Sequence, residues 1–83
     1  MRVTVRYFAS IREAIGAASE SVTTQAATLG ALRDELIARG GNHALSLARG
    51  RTVRLALNQV MSDESAALVE GAEVAFFPPV TGG

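Results

Sequence analysis

The residues best placed to do chemistry are the last six, Pro78-Pro79-Val80-Thr81-Gly82-Gly83. Two prolines favour an extended backbone that cannot donate to a ladder. The residues after them are small, and the chain ends in a carboxylate. Fully extended, such a tail reaches roughly 20 Å. Gly82 and Gly83 accept any backbone geometry and carry no Cβ, so this end fits a channel too narrow for other residues. A carboxylate on a thin arm is a group that another enzyme can activate. ATP converts it to an acyl-adenylate, which turns a poor electrophile into a good one. A sulfur donor then yields a C-terminal thiocarboxylate, ionised and nucleophilic near neutral pH. A lysine instead yields a protein conjugate. In both cases Gly83 carries the reaction, Gly82 lets it thread, and nothing else in the chain needs to be catalytic.

Composition narrows the rest. The 83 residues make one domain, with a body expected over 1–77 and a tail over 78–83. The absence of cysteine removes thiol catalysis, disulfides and thiolate metal sites. A single histidine, His43, excludes a multi-histidine metal site, and no metal is expected. All eight basic residues are arginine, so the chain has no Schiff-base lysine and no isopeptide acceptor of its own. They balance eight acids, and zero net charge argues against a nucleic-acid binder. No apolar run approaches the roughly 20 residues of a membrane span. The start, MRVTVRYF, alternates and lacks the long apolar stretch of a signal peptide. A cytoplasmic protein is expected.

The elements that must position the tail are legible as periodicities. Residues 2–8 alternate as a strand, with Val3, Val5 and Tyr7 on the core face. Ser10 and Glu13 form an S-x-x-E capping box for a short helix that Gly16 ends, with Ile11, Ala14 and Ile15 as its buried stripe. Residues 20–24 read as a second strand, returning antiparallel. Thr28 caps the main helix over 29–39, whose stripe is Leu29, Leu32, Leu36 and Ile37. Gly40-Gly41 stops it, and a further helical turn is expected over 43–49. Residues 52–57 alternate again, Asn58-Gln59 is a turn, and Val60-Met61 starts a very short strand. Leu68 anchors the connection that follows. The last strand is Glu73 to Phe77, closed by Pro78-Pro79. One long helix on a mixed sheet of four or five strands is an α+β, two-layer design. The first and last strands, as the most regular, belong side by side at its centre.

The strand parities leave apolar residues on the wrong side. Glu73 marks the outer face of the last strand, and Phe77 shares that face. Phe8 shares the outer parity of the first strand, and Met61 extends the patch. Exposed aromatics with a methionine mark a partner surface. The charges are read as solvated: Asp34-Glu35 on the main helix, Asp63-Glu64 in a loop, Arg12 at the surface. Arg49 and Arg51 flank Gly50 in a turn. His43 is a loop or helix-start residue.

Tyr-Phe-Ala-Ser-Ile-Arg-Glu (7–13), Ala-Leu-Asn-Gln (56–59) and Glu-Gly-Ala-Glu-Val-Ala-Phe-Phe-Pro-Pro-Val-Thr-Gly-Gly (70–83) together are familiar. The chain resembles, along its whole length, the MoaD family of ubiquitin-like sulfur carriers, the small subunits of molybdopterin synthase. The resemblance implies a ubiquitin-like β-grasp fold with an extended Gly-Gly tail. It implies that an E1-like enzyme uses ATP to adenylate Gly83, that Gly83 then becomes a thiocarboxylate, and that this chain binds no cofactor itself. It implies a large synthase subunit, in a heterotetramer, whose active site takes in Pro78, Pro79, Val80, Thr81 and the glycines. There sulfur passes to precursor Z (cyclic pyranopterin monophosphate), and two transfers build the dithiolene of molybdopterin. Phe8, Met61 and Phe77 match the family's apolar contact surface. Arg12 matches a position that faces the activating enzyme. Arg6 stands where an apolar residue is common, and Tyr7 replaces Phe. The same tail chemistry serves carriers for thiamine, cysteine or tRNA thiolation, and protein modifiers.

Overall fold

The computed structural model describes residues 1–79. The elements are β1 (Arg2–Tyr7), α1 (Ala9–Ile15), β2 (Ser19–Thr23), α2 (Leu29–Ala38), α3 (Gly41–Leu47), β3 (Arg54–Leu57), β4 (Val60–Ser62) and β5 (Glu73–Phe77). The five strands form one sheet in the order β2-β1-β5-β3-β4. β1 and β5 pair in parallel at its centre, and the other pairs are antiparallel. This is the β-grasp arrangement, with the expected central pair.

Alternation decides which face is covered. Val3, Val5 and Tyr7 of β1 and Val74 and Phe76 of β5 are buried, as is Leu55 of β3. They join Leu29, Leu32 and Leu36 of α2 and Leu47 of α3 in one core. Each such side chain stabilises the fold by about 1.5–3 kcal/mol through removal from water. Tyr7 and Phe76 stack with ring centroids 6.3 Å apart. Ile37, the last expected stripe residue, packs at the core margin.

Thr28 caps α2 as expected, its Oγ1 accepting from Ala31 N at 3.2 Å. Gly16 ends α1 at φ 85°, in the left-handed region that favours glycine. The capping box at Ser10 does not form. The cap position is Phe8, whose carbonyl accepts from Ile11 N and Arg12 N, so Ser10 already lies inside the helix. In α1 only Ile11 is buried, and Ala14 is exposed. Strand β3 starts at Arg54 rather than at residue 52. The β3–β4 turn places both Asn58 (φ 49°) and Gln59 (φ 70°) in the left-handed region, the combination that matches the twist of a two-residue hairpin. Leu68 is buried.

Two polar clusters tie the helices down. Arg33, on α2, is 4% exposed. Its guanidinium donates to the carbonyls of Leu47 (2.8 Å), Ala48 (2.8 Å) and Arg51 (3.2 Å) and pairs with Glu64 (3.0 Å). The expectation that Glu64 is a solvated loop charge is therefore corrected: it meets both Arg33 and Arg49. Asp34 and Glu35 are exposed, but each has a partner, in Arg49 and Thr24 respectively. Gly30 lies against this cluster because a Cβ there would fall 3.0 Å from the Cβ of Glu64 and 3.2 Å from its carbonyl oxygen.

The second cluster is centred on Glu20 of β2. Its carboxylate accepts from Tyr7 Oη at 2.7 Å and from Arg39 at 2.7 Å, and lies 3.0 Å from His43 Nε2. Burial pushes the Glu20 carboxyl up. The hydrogen bonds from Arg39, Tyr7 and His43 outweigh this and hold it at about 2. His43, the third residue of α3, also meets the edge of the Tyr7 ring at 5.8 Å. This histidine is a structural partner of Glu20 and Tyr7.

Candidate functional site: an outer-face patch beside the tail root

Parallel pairing of β1 and β5 brings Phe8 and Pro78 to the same end of the sheet. The register sets Tyr7 opposite Phe76, and Phe8 N donates to Phe76 O at 3.1 Å. Phe8 therefore emerges beside Phe77. Both rings stand on the outer face, edge to face, with centroids 6.2 Å apart. Phe8 is 38% exposed. The next row of that face runs Arg6, Ala75, Ala56, Met61 across β1, β5, β3 and β4. The two alanines make a low floor, and Met61 stands beyond them, 54% exposed. A shallow groove of about 290 Å³ results, with Phe8 and Phe77 at one end and Met61 at the side.

Arg6 sits at the rim. Its guanidinium carbon lies 5.5 Å from the Phe8 ring centroid, and it pairs with Glu73 at 3.1 Å. A cation over an aromatic face is attracted by the ring quadrupole. Arg6 thus covers part of the Phe8 ring. Apolar area with a charged rim is the composition of a protein interface.

The structure brings Phe8, Met61 and Phe77 together, as expected from parity. Pro78 and Pro79 follow Phe77 directly and are half-buried. Arg12 lies on α1, exposed and without an acidic partner among the described residues. The expected roles of Val80, Thr81, Gly82 and Gly83 fall outside the described residues. Among the described residues no group of three acidic or histidine side chains is placed to hold a metal ion. No helix there is long and apolar enough to cross a membrane. Sequence reading missed the supports of this end of the fold, Arg33 and Glu64. Their partners are remote in the chain and give no local signal.

The sequence matches the ThiS family over residues 5–83. The chain belongs to the ThiS family. This ThiS-family chain is 40% identical over 79 residues to the molybdopterin synthase sulfur carrier subunit of Haemophilus influenzae, covering 95% of this chain and 96% of that one. It is similar in fold to SAMP1 from Haloferax volcanii, with a TM-score of 0.79, 25% identity and full coverage of both chains. It is also similar to a chain in the complex of subunits 1 and 2 of the molybdopterin-converting factor from Helicobacter pylori. That match has a TM-score of 0.69, 31% identity and full coverage of both chains. The ThiS-family assignment and the β-grasp sheet agree.

Proposed function

We propose that this chain is the sulfur carrier subunit of molybdopterin synthase. The observation that carries the reading is the exposed Phe8–Phe77–Met61 patch beside the root of a Gly-Gly tail, in a chain 40% identical to a carrier of that name.

The Gly83 carboxylate attacks the α-phosphorus of ATP on an activating enzyme, forming the acyl-adenylate and releasing pyrophosphate. A donor of sulfide-level sulfur attacks the acyl carbon, AMP leaves, and the thiocarboxylate remains. The large subunit then grips the outer-face patch while the tail enters its active site. Its sulfur forms a C–S bond to a carbon of precursor Z as an oxygen substituent leaves that carbon, and hydrolysis of the resulting thioester leaves the sulfur on the pterin and returns the Gly83 carboxylate. The carrier's own contribution is placement. Phe8, Met61 and Phe77 supply the desolvated contact, and Pro78-Pro79 stiffen the start of the arm. The cytoplasm, where ATP is available, suits this cycle.

The test is intact mass, with the C-terminal peptide sequenced, after incubation with ATP, the activating enzyme and a sulfur donor. Exchange of one oxygen for sulfur at Gly83 is the expected result. Addition of the large subunit and precursor Z should then consume it. A carboxylate left unmodified by the complete system overturns the reading. An amide from Gly83 to a lysine of another protein moves the chain to the modifier class.

A further inference from the structure

Met61 is the member of the contact patch that core packing does not hold. Phe8 and Phe77 stand beside the buried Tyr7 and Phe76 of the two central strands. Met61 sits instead on β4, a three-residue strand at the edge of the sheet with no buried residue. The strand pairs with β3 on one side only. A hollow of about 340 Å³ opens beside it, between the segments 52–55 and 61–64. A short edge ladder that buries no side chain opens easily, so a side chain carried on it needs a second anchor.

Glu64, two residues past the end of β4, supplies that anchor. Its carboxylate pairs with Arg33 at 3.0 Å and with Arg49. Its carbonyl accepts from Gly30 N at 2.9 Å, in the first turn of α2. Asp63, which precedes it, bonds within its own loop, to Ser65 and Ala66. Glu64 is thus where the chain leaving β4 is first tied to a helix. Exposed ion pairs ordinarily contribute little, because both side chains must be ordered to make them. Here both guanidiniums are ordered by other acceptors. Arg33 is buried against the carbonyls of Leu47, Ala48 and Arg51. Arg49 is held by Asp34 and by the Gly30 carbonyl.

We infer that Glu64 is a positioning residue for partner recognition: its clamp on Arg33 and Arg49 fixes the end of β4 and thereby holds Met61 in place beside the Phe8–Phe77 pair. The inference rests on the reading that the large subunit grips this patch. Met61 lies over its register partner Ala56, which is only 6% exposed although it belongs to the outer face. Released from the clamp, β4 and Met61 would have to be ordered on binding, and that cost lowers the affinity.

The experiment is a double-mutant cycle by titration calorimetry, with the full-length carrier and the large subunit. Glu64→Gln should raise Kd about fivefold in the wild-type background and less than about twofold in a Met61→Ala background. Amide exchange of the carrier alone gives a second reading. The β3–β4 ladder should exchange about tenfold faster in Glu64→Gln, beyond any change in the β1–β5 ladder. Arg49→Gln, which leaves the Arg33–Glu64 pair intact, serves if Glu64→Gln does not fold, and should show the same pattern. Equal losses of affinity in the two backgrounds overturn the inference, because Glu64 then acts without Met61. An unchanged Kd in the wild-type background overturns it whatever the exchange rates do, since the clamp is then purely structural. Exchange accelerated evenly over the whole sheet overturns it too. These three results leave the carrier reading intact. Absence of binding by the wild type overturns the carrier reading, and this inference with it.

Discussion

Phe8 and Phe77 meet edge to face across the parallel β1–β5 pair, 6.2 Å between centroids, on the face of the sheet opposite the helix-covered core. Their chain neighbours Tyr7 and Phe76 stack on the opposite face, inside the core. Two adjacent strands therefore carry one aromatic pair inside the core and one on the outer face. The two pairs should separate cleanly in mutants.

Phe77→Ala should weaken the complex with the large subunit by about 2 kcal/mol, as expected for a central aromatic anchor. The unfolding free energy of the isolated domain should change by less than about 1 kcal/mol, since the ring is half-exposed. Phe76→Ala should do the reverse and cost about 3–5 kcal/mol of stability. Titration calorimetry and urea unfolding measure the two effects. Unfolding of the isolated domain by Phe77→Ala would show that the ring belongs to the core.

Arg33→Met should destabilise the domain by about 3–5 kcal/mol. It leaves Glu64 without one partner and removes the donor from the carbonyls of Leu47, Ala48 and Arg51. Urea unfolding gives the figure, and a loss below about 1 kcal/mol would show that water replaces the guanidinium easily.

Gly30→Ala sets two effects against each other. In a helix interior the change ordinarily gains about 1 kcal/mol, and Gly30, in the first turn of α2, stands to gain less. Here the new Cβ would stand 3.0 Å from the Glu64 Cβ and 3.2 Å from its carbonyl oxygen, which itself accepts from Gly30 N at 2.9 Å. The clash should win, with a net loss of about 1 kcal/mol. A raised thermal midpoint would show that the 63–66 loop yields freely.

Glu20 makes the fold sensitive to acid. Its carboxyl is lowered from 4.5 to about 2 in the folded chain, so its contribution is present in full above the unfolded value. It is lost as pH falls from about 4.5 towards about 2, and amounts to about 2–3 kcal/mol. Glu20→Gln should lower stability at neutral pH and flatten the profile across that window. Urea unfolding at a series of pH values reads both, and an unchanged slope would remove Glu20 from the account.

How much of this was legible depended on the range of the interaction. Val3, Val5, Tyr7, Val74 and Phe76 were readable because a strand repeats every two residues. The same parity exposed Phe8 and Phe77. Arg33 was not readable, because its acceptors lie 14 to 31 residues further along the chain. The Ser10 capping box failed for a local reason. The Phe8 carbonyl already holds the first helical hydrogen bonds, so the helix begins before the serine. Ser46, buried on α3, gave no sign at all, since a helical serine becomes unusual only when its surroundings close over it.

The placement of β5 has a mechanical consequence. The strand that bears the tail is held on both sides, by β1 and by β3, over nearly its whole length. A pull along the tail runs in line with the strand. It loads both ladders in shear, so their hydrogen bonds must yield together instead of unzipping one by one. A tail hung from an edge strand such as β4 could be peeled away by the machinery that draws it in. Here a pull applied beyond Phe77 is borne by both ladders together, and the body remains a rigid handle.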